Sequence, residues 1–323
     1  MSKKIGRLTV LSLLGFCVGL IFAVTAFYTA EQRNGVSYAR LDIDISHDIL
    51  DISHDIDDTS GAVSADSGVS ADHTVRRAVK TRAPYRGDKA LLAIVLDDCG
   101  GNMELAREVR DMKLPLTWAV IPNLRYSRAT VSMLKENDIP FLVHFPMQAL
   151  PDPDGFAGKK SPKGDYRYYY VGVGMSEKEV RDAMIPVLDS MEGAFGLNNH
   201  RGSKATEEWA VMRHVMKVLS ERGLFFLDSS TTRNSVAYKA ALEEELAARK
   251  NGHFLDNESN RTKIAKQFDI AVTMAKKRGS LIVICHLRPE TVAFLRSLSA
   301  DGAGRKGIRL VTLPELVKLE GDY

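Results

Sequence analysis

The stretch LLAIVLDDCGG, residues 91–101, decides how the chain is read. An apolar run leads straight into two adjacent carboxylates, a thiol and two glycines. A short uninterrupted apolar run bounded by glycine is the pattern of a strand buried on both faces, as in a parallel sheet. Asp is a poor strand residue and like charges repel. Asp97 and Asp98 therefore need something to hold them together where the strand leaves the core. A divalent cation would do so, one carboxylate binding it and the other serving as a base. Successive strand residues point to opposite faces. For both carboxylates to reach one site, the strand must end or bulge near Asp97, and Cys99-Gly100-Gly101 supplies a turn there. The same geometry weighs against a metal-free acid–base pair of the two aspartates.

The pattern repeats along the chain. Apolar runs occur at 116–121, 139–145, 224–227, 281–285 and 308–313. Amphipathic stretches separate them. One opens with Ser176 and Glu179 in capping-box spacing. One starts at a Thr206 cap and stops at Gly223, and one ends at Gly279. Apolar strands alternating with helices predict a single α/β domain over 88–323, a barrel of about seven or eight parallel strands.

The preceding residues read differently. Lys3, Lys4 and Arg7 flank an uncharged run from Leu8 to Ala30. A bilayer-spanning helix needs about 20 apolar residues. Residues 1–30 are thus expected to be a membrane anchor with its N-terminus in the cytoplasm and the domain outside it. The alternative is a signal peptide cleaved near Ala26, releasing a secreted domain. Residues 31–87 are rich in Asp, Ser, Ala and Gly and repeat ISHDI and VSAD, the composition of a low-complexity linker. The formal net charge of +3 is small, and the basic residues form no block, so no nucleic-acid partner is expected. The cysteines are Cys17, Cys99 and Cys285, without the paired spacing of a cysteine zinc site. Cys99 and Cys285 could pair if their strand ends are neighbours, but two semi-buried thiols is the simpler expectation.

In such folds the chemistry gathers at the carboxyl ends of strands. Those ends carry Asp97 and Asp98, then His144, then Asn198, Asn199, His200, Arg201 and Ser203, then Asp228, Ser229 and Ser230, then Asp256, and finally His286. His214 and His253 fall elsewhere and receive no role. One carboxylate with two imidazoles leaves a position open on a divalent cation, as in catalytic zinc sites.

The segments AIVLDDCG, TWAVIPN, VHFPMQ, GLNNHRGSK, GLFFLDSSTT and LIVICHLRP, in this order, resemble the divergent polysaccharide deacetylase family, a branch of the NodB-like carbohydrate deacetylases. The resemblance covers residues 90 to about 317. It implies a distorted (β/α) barrel of about seven strands and metal-dependent removal of N-acetyl groups from an envelope polysaccharide, peptidoglycan being one candidate. It also implies Asp98, His144 and His200 as ligands of a divalent metal, most simply Zn²⁺. Asp97 would be the base and His286 the acid, with Asp228 orienting a histidine or Arg201. Asn199, Arg201 and Ser203 are expected near substrate. The mainstream deacetylases carry an H-x-x-x-H pair, whereas His144 is followed by Gln148 here, and His200 of NNH stands in for the second histidine. That departure supports an alternative, a silent deacetylase-like domain that binds glycan or an envelope partner.

Overall fold

The computed structural model of the chain describes residues 88–151, 169–299 and 307–321. The expected membrane segment, the linker and Cys17 lie outside these residues. Among the described residues no helix is long and apolar enough to cross a membrane.

Among the described residues nine strands form one sheet. They are β1 (Ala90–Cys99), β2 (Leu116–Val120), β3 (Phe141–Met147), β4 (Gly196–Arg201), β5 (Phe225–Asp228), β6 (Ala248–Lys250), β7 (His253–Phe254), β8 (Ser280–His286) and β9 (Ile308–Val311). The helices are α1 (Met103–Asp111), α2 (Ser127–Glu136), α3 (Glu177–Ser190), α4 (Trp209–Glu221), α5 (Ala237–Glu243), α6 (Arg261–Arg278), α7 (Pro289–Ser299) and α8 (Leu313–Leu319). Every strand pairing is parallel, as the uninterrupted apolar runs predict.

The helix boundaries follow local chemistry. Ser176 and Glu179 form the expected capping box at α3. Asn260 caps α6, and Gly279 ends it in the left-handed region. One expectation is corrected. Thr206 does not cap α4, which begins at Trp209 after a 3-10 turn over Ala205–Glu207. Thr206 lies inside that 3-10 turn, ahead of the helix start, and its buried hydroxyl donates back to the Gly202 carbonyl.

The sheet runs in the order β6-β5-β4-β3-β2-β1-β8-β7. Its two edges are consecutive pieces of one segment, for β6 pairs with β5 and β7 with β8. Between them the Asn251 amide donates to the Asp228 carbonyl and the Gly252 amide to Ile282. The sheet therefore curls round onto itself. β9 pairs with the first half of β1, along the edge that β2 takes further on. These two shared places reconcile nine strands with the expected barrel of about seven.

The curl separates two apolar layers. Leu91, Ala93 and Val95 of β1, Leu142 of β3, Leu227 of β5 and Ile284 of β8 belong to an inner cluster, into which Leu313, Leu316 and Val317 of α8 pack. The intervening Leu92, Ile94 and Leu96 face the helices. Each such fully buried side chain contributes about 1.5–3 kcal/mol of transfer free energy.

Candidate metal centre

The two-residue period of the strands carries the inner layer directly into the site. On β1 the positions Leu91, Ala93 and Val95 are followed by Asp97. On β3, Leu142 is followed by His144. On β4, Gly196 is followed by Asn198 and His200, and on β8, Ile284 by His286. Register completes the assembly, since Asp97 stands opposite His286 and His144 opposite Asn198.

Asp98 breaks the period, and the backbone shows how. Leu96 pairs with Trp118, but the next β1 residue paired to β2 is Cys99, opposite Val120. One extra residue is thus inserted in β1, and Asp98 adopts a φ of 62°. This bulge turns the Asp98 carboxylate toward the same mouth as Asp97, as the sequence requires. Gly100 follows at φ 108°, where a Cβ would lie 2.8 Å from Ser127 Oγ. Arg201 and Ser230 are also left-handed, at φ 58° and 56°. Non-glycine residues there cost on the order of 1–3 kcal/mol each, and such strain collects at functional sites.

Asp98, His144 and His200 converge. His200 Nδ1 lies 3.1 Å from Asp98 Oδ1. His144 Nε2 lies 3.4 Å from that same oxygen and 3.1 Å from His200 Nδ1. Ligand atoms at about 2.0–2.1 Å from a tetrahedral ion stand about 3.3 Å apart. The three donor atoms thus already form one face of such a tetrahedron. Asp98 Oδ1 is also buried and makes no hydrogen bond of acceptable geometry, although both imidazoles approach it. A buried carboxylate oxygen without a partner is costly, and a cation at the common centre would satisfy it. The donor set therefore fits a divalent ion.

The two carboxylates are electrostatically unlike. Burial pushes Asp97 up to about 6, against the pull of His144 and His286. Burial would also raise Asp98, but the two imidazoles outweigh it and hold that carboxyl well below the usual range. Burial opposes the charge on His144, yet Asp97 and Asp98 together raise it. His200 is lowered, by burial first and then by His144. Asp98 is thus held ionised, as a cation ligand would have to be, while Asp97 changes protonation state near neutrality.

His286 sits apart with a partner of its own. Its Nδ1 lies 2.7 Å from Asp256 Oδ1, and its amide donates to Asp256 Oδ2 at 2.8 Å. The Thr291 hydroxyl donates to the same Oδ2 at 2.7 Å. Burial alone would lower His286, but Asp256 and then Asp97 raise it. On the other side, Asn198 links His144 and Asp97: its Oδ1 lies 2.9 Å from His144 Nδ1, and its Nδ2 donates to Asp97 Oδ1 at 2.9 Å. Asn198 and Asp256 thus hold the histidines, whereas Asp228 is the residue expected to orient a histidine or Arg201. Asp228 accepts from the Ser230 amide and the Ser235 hydroxyl and orders its own loop. Asn198 and Asp256 stand among the strand-end residues noted in the sequence, but their roles are unassigned there because no spacing connects them to their histidines.

Asn199 and Ser203 also have structural tasks. Asn199 points away from Asn198, accepting from the Ser229 amide and donating to the Arg201 carbonyl. Ser203 Oγ accepts from the Leu150 amide. Arg201 stands half-buried at the rim beside His200. Gln148, at the position of the absent second histidine, accepts from the Val173 amide and ties down the neighbouring loop. Cys99 and Cys285 are both free, as the simpler expectation has it, but fully rather than half buried.

Residues 94–317 match the family model described as divergent polysaccharide deacetylase. The chain is 34% identical over 230 residues to an uncharacterized protein of Haemophilus influenzae, covering 71% of this chain and 74% of that protein. It is 31% identical over 207 residues to the uncharacterized protein YibQ of Escherichia coli K12, covering 64% of this chain and 61% of YibQ. Among solved structures, the uncharacterized protein ATU2773 from Agrobacterium tumefaciens C58 superposes with a TM-score of 0.63 at 20% identity, over 73% of this chain and 93% of that one. That likeness concerns the fold. The family match spans the curled sheet and all three candidate ligands, and the chain belongs to the divergent polysaccharide deacetylase family.

Proposed function

We propose that the protein is a metal-dependent hydrolase that removes N-acetyl groups from an envelope polysaccharide, peptidoglycan being the first candidate. The observation that carries this reading is the convergence of Asp98 Oδ1, His144 Nε2 and His200 Nδ1 around one point, with Asp98 Oδ1 otherwise unsatisfied. These atoms would hold a divalent cation, Zn²⁺ suiting an imidazole and carboxylate set. Such an ion supplies Lewis acidity toward an acetyl carbonyl and an attacking water. Asp97, kept near neutrality by burial, accepts the water's proton. His286, kept protonated by Asp256, gives a proton to the departing amine. Cleavage of the amide then leaves acetate and a free glucosamine-type amine. The uncharged run 8–30 anchors the domain outside the cytoplasm, and residues 31–87 connect it to that anchor.

The test is acetate release from peptidoglycan and from N-acetylglucosamine oligomers, using protein stripped of metal and then reloaded with Zn²⁺. Release is expected only after reloading, and not from Asp97→Asn or Asp98→Ala. A wild type that takes up Zn²⁺ but releases no acetate from either glycan would refute the hydrolase and leave the glycan-binding reading.

A further inference from the structure

Asn198 is wholly buried, and its amide faces three polar neighbours. Its Nδ2 lies 2.9 Å from Asp97 Oδ1 and 3.2 Å from Ser229 Oγ, and its Oδ1 lies 2.9 Å from His144 Nδ1. Two independent constraints fix which end of the amide points where. An ionised Asp97 can only accept a hydrogen bond. Ser229 Oγ donates its proton to the Asn199 carbonyl at 2.9 Å, so toward Asn198 it too can only accept. Both therefore face the NH₂ group, and the carbonyl end must face His144. His144 Nδ1 then has to carry a hydrogen, which leaves Nε2 as the coordinating nitrogen, and Nε2 is the atom that joins the Asp98–His200 triangle.

We infer that Asn198 is a positioning residue with two separable tasks: its carbonyl sets the His144 tautomer for cation binding, and its amide NH₂ orients the Asp97 carboxylate as base. This rests on the reading under Proposed function. Neither task is available to Asn199, because the next strand residue points to the opposite face and is engaged with the Ser229 amide. The doublet NN therefore divides into one residue for the site and one for the backbone around it.

The two tasks predict different results from two substitutions. Asn198→Leu removes both contacts while keeping the branched shape, at a larger volume. Asn198→Asp keeps an acceptor for His144 Nδ1 but sets a like charge against Asp97 in place of a donor. Affinity is measured by titrating Co²⁺ into metal-free wild type and both variants and following visible absorption. Folding is checked by circular dichroism, and acetate release from N-acetylglucosamine oligomers is measured in parallel. Loss of an outer contact to a metal-bound histidine weakens binding about 10–100-fold, and that is the expected result for Asn198→Leu. Asn198→Asp is expected to bind Co²⁺ at least as tightly as wild type while losing on the order of 100-fold or more in acetate release. Leu at 198 binding Co²⁺ as wild type does would overturn the inference, as would Asp at 198 with undiminished acetate release. If Asn198→Leu does not fold, the split between binding and release in Asn198→Asp decides alone. Wild type that binds no Co²⁺ would remove the metal reading itself, a failure distinct from equal binding by wild type and Asn198→Leu.

Discussion

Removing the Asp256 carboxylate exposes how His286 is held. Asp256 is fully buried and accepts from His286 Nδ1, the His286 amide and the Thr291 hydroxyl at 2.7, 2.8 and 2.7 Å. Asp256→Ala leaves a buried hydroxyl, a backbone amide and an imidazole without their acceptor. Breaking a buried pair from one side costs about 3–5 kcal/mol. For a domain of this size that corresponds to a fall in Tm on the order of 10 °C. The loss should depend on pH, and its sign is fixed. Asp256 is held below its ordinary 3.8, so its contribution is present above that value and disappears as pH falls through the lowered one. His286 is raised above 6.5, so its contribution is complete below 6.5 and is lost as pH rises through the raised value. Urea denaturation of wild type and Asp256→Ala should therefore differ most between about pH 4 and 6.5 and less at pH 9. Equal differences at pH 5.5 and pH 9 would refute an ion pair between these residues.

Other consequences concern the carboxylates and the sheet. With Asp97 as base and His286 as acid, acetate release should rise with pH through a limb at or below about 6, since a bound cation lowers Asp97 further, and fall through a limb above 6.5. A flat profile over pH 5–9 would contradict both assignments. Asp97 held at about 6 against an ordinary 3.8 works against folding by about 3 kcal/mol at neutral pH. Asp97→Asn should therefore stabilise the metal-free protein by about 1–3 kcal/mol at pH 8 and by nothing at pH 3.5, measured by urea denaturation. A destabilised variant at pH 8 would show that the Asp97 charge is not the liability described. At Gly196 a Cβ would lie 2.1 Å from the Phe225 carbonyl oxygen, so β4 and β5 cannot keep their spacing around a side chain. Gly196→Ala should cost about 3 kcal/mol or more in thermal denaturation, and a wild-type melting curve would contradict the close approach.

How much of this was legible in the sequence depends on range. The alternation Val95-x-Asp97, Leu142-x-His144 and Ile284-x-His286 is local, and it places each polar residue one step beyond an inner apolar position. The capping box at Ser176 and the stop at Gly279 are local as well. The Asp98 bulge was foreseeable only as a need, because the pairing that defines it joins Leu96 and Cys99 to a different strand. The roles of Asn198 and Asp256 are the clearer omissions. Their partners lie 54 and 30 residues away in the chain, at distances that only the curl of the sheet closes. Asp228 ends its strand as Asp97 nearly does, yet its loop turns back onto it through Ser230 and Ser235. Residues 248–254 fall outside the apolar runs, although they close the sheet by pairing with β5 and β8 in succession.

The most direct test is calorimetric titration of Zn²⁺ into metal-free wild type and His200→Ala. In the proposed site His200 stands in for the histidine missing at Gln148, so the proposed triad depends on it. One ion per chain is expected for wild type, with binding lost or weakened at least 100-fold in His200→Ala. Undiminished binding by that variant, or none by wild type, would contradict a cation site built from Asp98, His144 and His200.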